Sequence, residues 1–162
     1  MDDIRTGFGY DIHRLEAGTE ILLGGVRIPS AVATIAHSDG DIVCHALAQA
    51  ILASLGLDDI GTYFPDTAKD TAKMDSTQIV RRALTEMTNK DYCLSNVSLA
   101  IVTETPKLMP YKHAIRDSLA KLLSLDSSRI AVHANTSEGV GPVGKKEAIE
   151  VYATVLVYHK EK

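Results

Sequence analysis

The feature that most constrains the fold is the carboxy-terminal segment 148–158, in which β-branched residues recur with a period of two. This pattern predicts a long β-strand with one face turned toward a core. Segments 5–14, 93–103 and 130–135 also have strand character. The chain is therefore expected to fold around a β-sheet.

Glycine and proline residues near the amino terminus predict how the first strands are connected. Residues 16–19 predict a polar turn. Gly24-Gly25 separates two short segments, 21–23 and 26–28, and is typical of a two-residue hairpin turn. Residues 29–36, which begin with a proline, predict an irregular loop.

Three helices are predicted between the strands. The first, 41–55, is rich in alanine and is followed by a glycine, which favours a helix end. Ser38 or Asp39 is suited to cap its amino terminus. The second is expected over about 76–89, and the third over 110–123 with a proline in its first turn.

Strands separated by helices, with a hairpin near the start, predict one domain of the α+β or α/β type over residues 1–162. We expect a mixed β-sheet with helices packed on one face. The other face would then need a cover, which an oligomer would supply.

Composition excludes several classes of function. The net charge of −4 argues against nucleic-acid binding, where a basic surface supplies most of the affinity. No segment approaches the ~20 apolar residues of a membrane span, and the charged amino terminus lacks the apolar centre of a secretory signal. Cys44 and Cys93 are expected to be reduced thiols. We expect a cytoplasmic protein without a membrane or nucleic-acid partner, or a plastid stromal protein if a transit peptide has been removed.

Asp11, His13 and His45 are the strongest candidates for a chemical site. Asp11 and His13 are two residues apart on a predicted strand, so their side chains leave the same face. His45 lies one turn inside the first predicted helix, where it can face the sheet. Two imidazoles and one carboxylate with an open fourth position are typical of catalytic zinc. Taken singly, however, each histidine is more often a surface or hydrogen-bonded residue.

The segment HSDGD at 37–41 carries a second group of polar residues. His37 and Ser38 lie at a predicted helix amino terminus, where backbone N–H groups favour anions. The alternatives are a plain helix cap and a rival metal site formed by His37, Asp39 and Asp41. Cys44 is rotated about 100° around the helix from its neighbour His45, so it does not easily share the same ion, and this favours a core position for its thiol.

A third polar group follows the predicted strand 130–135. The segment NTSEG at 135–139 offers an amide and hydroxyls to phosphate oxygens or a nucleotide. Glu138 could hold a hard cation such as Mg²⁺ or Mn²⁺ through oxygen. A polar turn is the alternative interpretation, and Lys107 is either a solvated lysine or a phosphate contact.

Together these segments resemble one enzyme family, the 2-C-methyl-D-erythritol 2,4-cyclodiphosphate synthases. The resemblance extends over nearly the whole chain, in the same order, and is specific because several unrelated motifs recur together. The matching segments are GFGYDIHRL (7–15), GG-V-R-IP (24–29), AHSDGDIVCHAL (36–47), DIGTYFPDT (59–67), DS (75–76), TPKLMP (105–110) and ANTSEGVG (134–141).

The resemblance implies an activity. Enzymes of this family are phosphorus–oxygen lyases of the non-mevalonate route to isoprenoid precursors. They convert 4-diphosphocytidyl-2-C-methyl-D-erythritol 2-phosphate into the cyclic 2,4-diphosphate and release CMP. The substrate's own 2-phosphate attacks the β-phosphorus, so no side-chain nucleophile is needed.

The resemblance also implies two metal sites. Asp11, His13 and His45 match the zinc ligands of the family. Glu138 matches the residue that helps to hold a second divalent cation, Mg²⁺ or Mn²⁺, across the substrate phosphates.

The remaining matches imply catalytic and substrate-binding roles. His37 and Thr136 match positions credited with stabilising the transition state. The positions that match substrate contacts near the methylerythritol phosphate are Asp11, His13, His37, Ser38, Asp59, Ile60, Gly61, Phe64 and Asp66. Those that match the cytidine diphosphate side are Thr103, Pro106, Lys107, Leu108, Met109, Asn135, Thr136, Ser137, Glu138, Pro142 and Lys145.

In the family these two halves come from neighbouring subunits of a homotrimer, whose sheets face a central threefold channel. The chain also departs from the family pattern. Ala68 stands where the family often has an acid, AKMDS (72–76) replaces K-G-A-D-S, and Pro142 and Lys145 stand where phenylalanine and arginine are common.

Two other functions fit the residues. A zinc-dependent phosphoester or pyrophosphate hydrolase would use metal-bound hydroxide instead of a substrate phosphate. A non-catalytic nucleotide-binding module would bind CMP without turnover.

Overall fold

The computed structural model of the chain describes residues 3–64 and 74–160. Asp66, Ala68 and the first two residues of AKMDS lie outside the described residues. The strands are β1 (Ile4–Ala17), β2 (Glu20–Leu23), β3 (Val26–Pro29), β4 (Val32–Thr34), β5 (Tyr92–Val102), β6 (Ile130–Asn135) and β7 (Ala148–His159). The helices are α1 (Ile42–Ser54), α2 (Ile60–Tyr63), α3 (Thr77–Asn89), α4 (Lys112–Leu123) and α5 (Gly141–Gly144).

Five strands form one mixed sheet in the order β4-β1-β7-β5-β6. β7 is central and runs antiparallel to both β1 and β5. β6 is parallel to β5, and such a pair requires a crossover connection, which contains α4. β2 and β3 form the predicted hairpin. The prediction of an α+β fold with a mixed sheet is confirmed.

Helix α1 packs directly on the sheet because β1 offers it no side chains at two positions. A Cβ built on Gly7 would lie 1.9 Å from the carbonyl oxygen of Ala50, and one built on Gly9 would lie 2.0 Å from that of Ala46. The alanines of α1 complete this close approach, and the helix is buried over most of its surface. The spacing between β1 and α1 is therefore set by backbone-to-backbone contact.

A buried carboxylate fixes the amino terminus of α1. Asp41 is the N-cap of α1 and accepts a hydrogen bond from Cys44 N–H at 3.2 Å. It also accepts from the N–H groups of Gly24 and Gly25 in the β2–β3 turn, at 2.8 and 2.6 Å. Burial raises the pKa of Asp41, and these backbone donors act in the opposite direction. The Cys44 thiol lies in the core, as predicted.

The opposite face of the sheet carries apolar side chains in contact with solvent. Phe8 is 59% exposed and Tyr10 is 43% exposed, on alternate positions of β1. Tyr152 of β7 packs against both, with ring centroids 6.4 and 5.1 Å away, and its hydroxyl donates to Glu150 at 2.8 Å. That hydrogen bond to Glu150, with burial, raises the pKa of Tyr152 to about 12. Within this chain, the described helices thus cover only one face.

Several boundaries predicted from sequence were wrong. β1 continues to Ala17, through part of the predicted turn, and the predicted loop 29–36 contains β4. β4 forms because residues 32–34 pair with the extended end of β1, a contact that local sequence does not reveal.

The capping residue of α1 and the start of the third predicted helix also differ. The N-cap of α1 is Asp41 rather than Ser38 or Asp39, because only Asp41 reaches both the first turn of α1 and the hairpin. The proline at 110 lies in a 3-10 turn, Met109–Tyr111, ahead of α4. The short helices α2 and α5 were not predicted. Among the described residues, no helix has the length and apolar character that a membrane crossing needs.

Candidate metal centre and active site

The three predicted ligands come together where β1 meets α1. Alternate residues of β1 face α1, so Asp11 and His13 extend the row begun by Gly7 and Gly9. His45 lies in the first turn of α1, and its ring approaches the Asp11 and His13 side chains. The prediction that these three side chains share one site agrees with their placement.

The distances between ligand atoms are short enough for one ion. Asp11 Oδ2 lies 3.2 Å from His45 Nδ1 and 3.4 Å from His13 Nδ1. One ligand atom from each residue lies within 4.8 Å of the other two. Among the residues the structure describes, this is the one group of three or more histidine, cysteine or acidic side chains with such spacing.

The state of His13 supports a metal in this position. His13 Nδ1 is buried and has no hydrogen-bond partner. Burial lowers the pKa of His13, while nearby Asp11 raises it and His45 lowers it further. A lowered pKa favours the neutral imidazole, which is the form that can bind a divalent metal through an unshared electron pair. The donor set of two imidazoles and one carboxylate fits zinc with a vacant position.

The rival site from His37, Asp39 and Asp41 is not formed. Both oxygens of Asp41 accept backbone hydrogen bonds at the hairpin and helix. Asp39 accepts from the N–H groups of Asp41 and Ser76, at 3.1 and 3.0 Å. The His37 side chain is exposed and lies at the edge of a cavity instead.

That cavity opens beside the metal ligands and has a volume of about 430 Å³. It lies between the middle of β1 and the start of α1, with α2 and α3 on its other sides. Its lining includes these predicted residues: Asp11, His13, His37, Ser38, His45, Ile60, Gly61 and Phe64. Polar metal-ligand side chains on one side and apolar side chains on the other are typical of a small-molecule site.

Helix α2 is held against this cavity by Gln49, which the sequence did not single out. Gln49 Oε1 accepts a hydrogen bond from Ile60 N–H at 3.2 Å, and Gln49 lines the cavity itself. Asp59 precedes α2 as its N-cap, without a side-chain capping bond. The Asp59 side chain is exposed and precedes Ile60, which lines the cavity.

The residues predicted on the cytidine diphosphate side lie elsewhere in the chain. Strand register places Ile12, Glu150, Val102 and Asn135 in one row across β1, β7, β5 and β6. Three strand spacings of about 4.8 Å put Asn135 roughly 14 Å from Ile12. The segment 135–138 therefore lies at the same end of the sheet as the metal ligands but well apart from them.

The loops after β5 and β6 are joined by Glu104, which the sequence also did not single out. Glu104 Oε1 accepts from Ser137 N–H at 3.0 Å, from Gly139 N–H at 3.4 Å and from the Ser137 hydroxyl at 3.5 Å. Thr103 N–H donates to the Asn135 carbonyl at 3.0 Å. These bonds link residues more than thirty positions apart, so no local pattern announces them.

The loops after β5 and β6, with residues 103–109 and 135–145, form what we call the second cluster. Two further features shape it. The Thr136 hydroxyl donates to Glu138 Oε1 at 2.9 Å, and Glu138 has a left-handed backbone with φ of 53°. Glu138 is thus held pointing out of the loop into solvent. Of the others, Leu108 is buried in the core, and the exposed ones are Lys107, Met109, Pro142 and Lys145.

This fold and this site define a class of protein: a mixed-sheet α+β protein with two histidines and one carboxylate, spaced for a metal ion, beside a cavity. Residues 4–158 match the YgbB family, and the chain belongs to it.

The relatives carry the name that the sequence motifs suggested. The 2-C-methyl-D-erythritol 2,4-cyclodiphosphate synthase of Xylella fastidiosa is 40% identical over 156 residues, which cover 96% of this chain and 89% of that protein. The solved structure of IspF from Plasmodium falciparum in complex with CDP is 35% identical, with a TM-score of 0.86, and the match covers 98% of this chain and 97% of that one.

A second solved structure is described as 2C-methyl-D-erythritol-2,4-cyclodiphosphate synthase in a CDP-bound form. It is 40% identical, with a TM-score of 0.87, and the match covers 94% of this chain and 99% of that one. The resemblance drawn from the sequence motifs is therefore confirmed.

Proposed function

We propose that this protein converts 4-diphosphocytidyl-2-C-methyl-D-erythritol 2-phosphate into 2-C-methyl-D-erythritol 2,4-cyclodiphosphate and CMP, in the non-mevalonate pathway to isoprenoid precursors. The observation that carries the proposal is the convergence of Asp11, His13 and His45 at a cavity of about 430 Å³, in a chain of this family. The reaction is a cyclisation, and the enzyme is a lyase.

The bonds made and broken define what the protein must do. An oxygen of the substrate's 2-phosphate forms a bond to the β-phosphorus, and the bond from that phosphorus to the bridging oxygen breaks. The electron pair leaves with CMP. Both reacting groups are in one molecule, so the protein contributes by positioning them and by neutralising charge.

Asp11, His13 and His45 are proposed to hold zinc, which would supply Lewis-acid and orienting chemistry at the β-phosphate. His37 lies at the rim of the same cavity, where its ring can donate to phosphate oxygen in the transition state. Ser38 lines the cavity within 3.3 Å of His45 Nε2 and is proposed to contact the 2-phosphate end.

The other predicted residues around this cavity are proposed to bind the methylerythritol part of the substrate. Phe64 and Ile60 supply apolar surface in the cavity, and Gly61 lets the substrate approach backbone. Asp59, and Asp66 beyond the described residues, would accept from substrate hydroxyls.

The second cluster is proposed to bind the cytidine diphosphate half. Glu138, exposed and fixed by Thr136, would help to hold Mg²⁺ or Mn²⁺, which such carboxylates bind together with substrate phosphates. Thr136 is proposed to assist at the transition state. The further contacts proposed are Thr103, Pro106, Lys107, Leu108, Met109, Asn135, Ser137, Pro142 and Lys145.

We also propose that three subunits assemble with their open sheet faces around a threefold axis. The exposed aromatic face with Phe8 and Tyr10 supports this, because a soluble subunit would not leave such a patch uncovered. The separation of the two clusters supports it as well, since a neighbouring subunit can bring one cluster to the other. Each active site would then be shared.

The direct test is product analysis with the purified protein and the cytidyl substrate. Equal amounts of CMP and the cyclic diphosphate are expected, with loss of both after chelation. A linear phosphate product would instead indicate the hydrolase, and CMP binding without turnover would indicate a binding module.

His13→Ala and His45→Ala should each abolish turnover and lower the zinc content. Light scattering should give about three times 17.5 kDa, and an active monomer would contradict the shared site.

A further inference from the structure

Two successive hydrogen bonds connect His45 Nε2 to Asp39 through the Ser76 hydroxyl. His45 Nε2 lies 3.0 Å from the hydroxyl oxygen of Ser76, on the side of the ring away from Asp11. The Ser76 hydroxyl in turn contacts Asp39 Oδ1 in a short hydrogen bond. Ser76 is fully buried, so water does not compete for these contacts.

Because the Ser76 hydroxyl has a single proton, it can donate only one of these two hydrogen bonds. The Ser76 hydroxyl donates to Asp39 Oδ1, a contact shorter than its other one to Ser38 Oγ at 3.4 Å, so we assign its proton to Asp39. Ser76 Oγ then has only electron pairs to offer His45, and must accept. His45 Nε2 must therefore carry the proton, which leaves Nδ1 unprotonated.

The unprotonated Nδ1 atom is the one that faces the metal position. His45 Nδ1 lies 3.2 Å from Asp11 Oδ2, and His13 Nδ1 is on the same side. The opposite tautomer would place a proton where the ion is expected. Ligating histidines in metalloproteins commonly have such a carboxylate-linked partner, which fixes the tautomer and raises the basicity of the ligand.

We infer that Asp39 and Ser76 are positioning residues that hold His45 in its Nε2–H tautomer and so prepare Nδ1 to bind the metal. The inference rests on the metal role proposed for Asp11, His13 and His45, but not on which phosphorus reaction the enzyme performs. It also assigns a role to Ser76, which is 31 positions from His45 in sequence but contacts it in the fold.

Asp39 and Ser76 also have a structural role that the test must separate. Asp39 accepts from Ser76 N–H and Asp41 N–H, which ties the loop before α1 to the start of α3. Ser38 Oγ lies 3.3 Å from His45 Nε2 and offers a weaker alternative acceptor. Asp39→Asn keeps an oxygen acceptor of the same shape but removes the charge, and Ser76→Ala removes one buried oxygen with little change in volume.

The first experiment measures the tautomer without any metal. Metal-free protein labelled with ¹⁵N at histidine is examined by long-range ¹H–¹⁵N NMR at pH about 8, where an ordinary imidazole is neutral. Loss of one signal set in His45→Gln assigns His45. The wild type is expected to have a protonated Nε2 and an unprotonated Nδ1, and Ser76→Ala is expected to shift His45 toward a mixture of tautomers. A wild-type His45 protonated on Nδ1 would overturn the inference.

The second experiment measures zinc affinity by competition with a chromophoric chelator. Asp39→Asn and Ser76→Ala are expected to weaken zinc binding by about 10- to 100-fold, the usual effect of losing such a partner. Asp75→Asn is the matched control, since it removes an exposed charge from the same segment and should change affinity less than about 2-fold.

The outcomes distinguish this inference from the proposed function. If the wild type binds zinc and both variants bind it equally well with an unchanged tautomer, only the role of Asp39 and Ser76 is refuted. If the wild type does not bind zinc, the metal role itself fails and the inference fails with it. Circular dichroism melting curves on each variant show whether a loss of affinity comes from unfolding, and folded variants with weaker binding support the inference.

Discussion

The Cα atom of Gly9 lies against the carbonyl of Ala46, so closely that a Cβ on Gly9 would sit 2.0 Å from the carbonyl oxygen. Gly9 is two residues before Asp11, and Ala46 directly follows His45. The contact that sets the distance between β1 and α1 therefore also sets the distance between two proposed metal ligands. Packing and ligand geometry depend on the same atoms.

Gly9→Ala should consequently damage the metal centre as well as the fold. The added methyl meets backbone, which cannot rotate away, so α1 must shift. We expect a loss of unfolding free energy of about 1–3 kcal/mol or more, as for other overpacked cores, together with weaker zinc binding. Urea unfolding and chelator competition measure the two effects. Ala53→Ser, at an exposed position of α1, is the control, and a Gly9→Ala protein with normal zinc affinity would contradict this coupling.

The pH dependence of stability should report His13. Burial lowers the pKa of His13 in the folded metal-free protein below its value of about 6.5 in the unfolded chain. Between those two values the unfolded state binds more protons, so unfolding free energy falls as the pH falls. Stability is fully present above pH about 6.5 and is lost as the pH decreases toward the folded pKa.

Urea titrations of metal-free protein between pH about 5 and 8 test this expectation. His13→Asn should flatten the acid side of the profile, because the titrating group is gone. His113→Asn, at an exposed position on α4, should leave the profile unchanged. An equally steep acid loss in His13→Asn would assign the dependence to another group.

The sequence predicted the parts of the molecule that depend on periodicity and on short spacing. The alternation in β7, the Gly24-Gly25 turn and the bounds of α1 and α3 followed from local pattern. So did the shared face of Asp11 and His13, because strand geometry fixes side chains two residues apart. The resemblance to a family supplied the rest of the predicted site.

The partners that only the folded chain brings together were not predicted. Ser76 and His45 are 31 positions apart, and Ser137 and Glu104 are 33 apart. Nothing in the local sequence of Ser76 or Glu104 indicates such a contact. A serine before a helix predicts a helix cap, and a glutamate after a strand predicts a surface charge. Asp39 was misassigned for this reason: its partner across the fold outweighs the capping role suggested by its position.

Glu104 should control the affinity for the cytidine half of the substrate. All three of its hydrogen bonds to the 137–139 turn use the same oxygen, Oε1. Glu104→Ala leaves two backbone N–H groups without that acceptor, so the turn that carries Glu138 should lose its fixed position. We expect CDP affinity, measured by calorimetry, to fall by about 5- to 30-fold, an effect of about 1–2 kcal/mol.

Glu104→Gln separates hydrogen bonding from charge. The amide oxygen of glutamine can replace Oε1, so most of the lost CDP affinity should return. If Glu104→Gln is as weak as Glu104→Ala, the charge rather than the hydrogen bonds is responsible. If Glu104→Ala binds CDP as the wild type does, the turn does not depend on Glu104.

Phe8→Glu should separate assembly from metal binding. The Phe8 side chain is on the open face of the sheet, opposite Asp11, His13 and His45, and a buried unpaired carboxylate there would prevent close packing of sheets. Light scattering is expected to give a single subunit, and CMP release should be lost because the cytidine half-site no longer meets the metal half-site. Zinc affinity should remain near that of the wild type, since all three ligands belong to one chain. Gln78→Glu adds the same charge at an exposed position of α3 and should leave assembly and activity intact. Full activity in a monomeric Phe8→Glu protein would show that one subunit completes the site alone, through a rearrangement that closes the gap of roughly 14 Å between the two clusters.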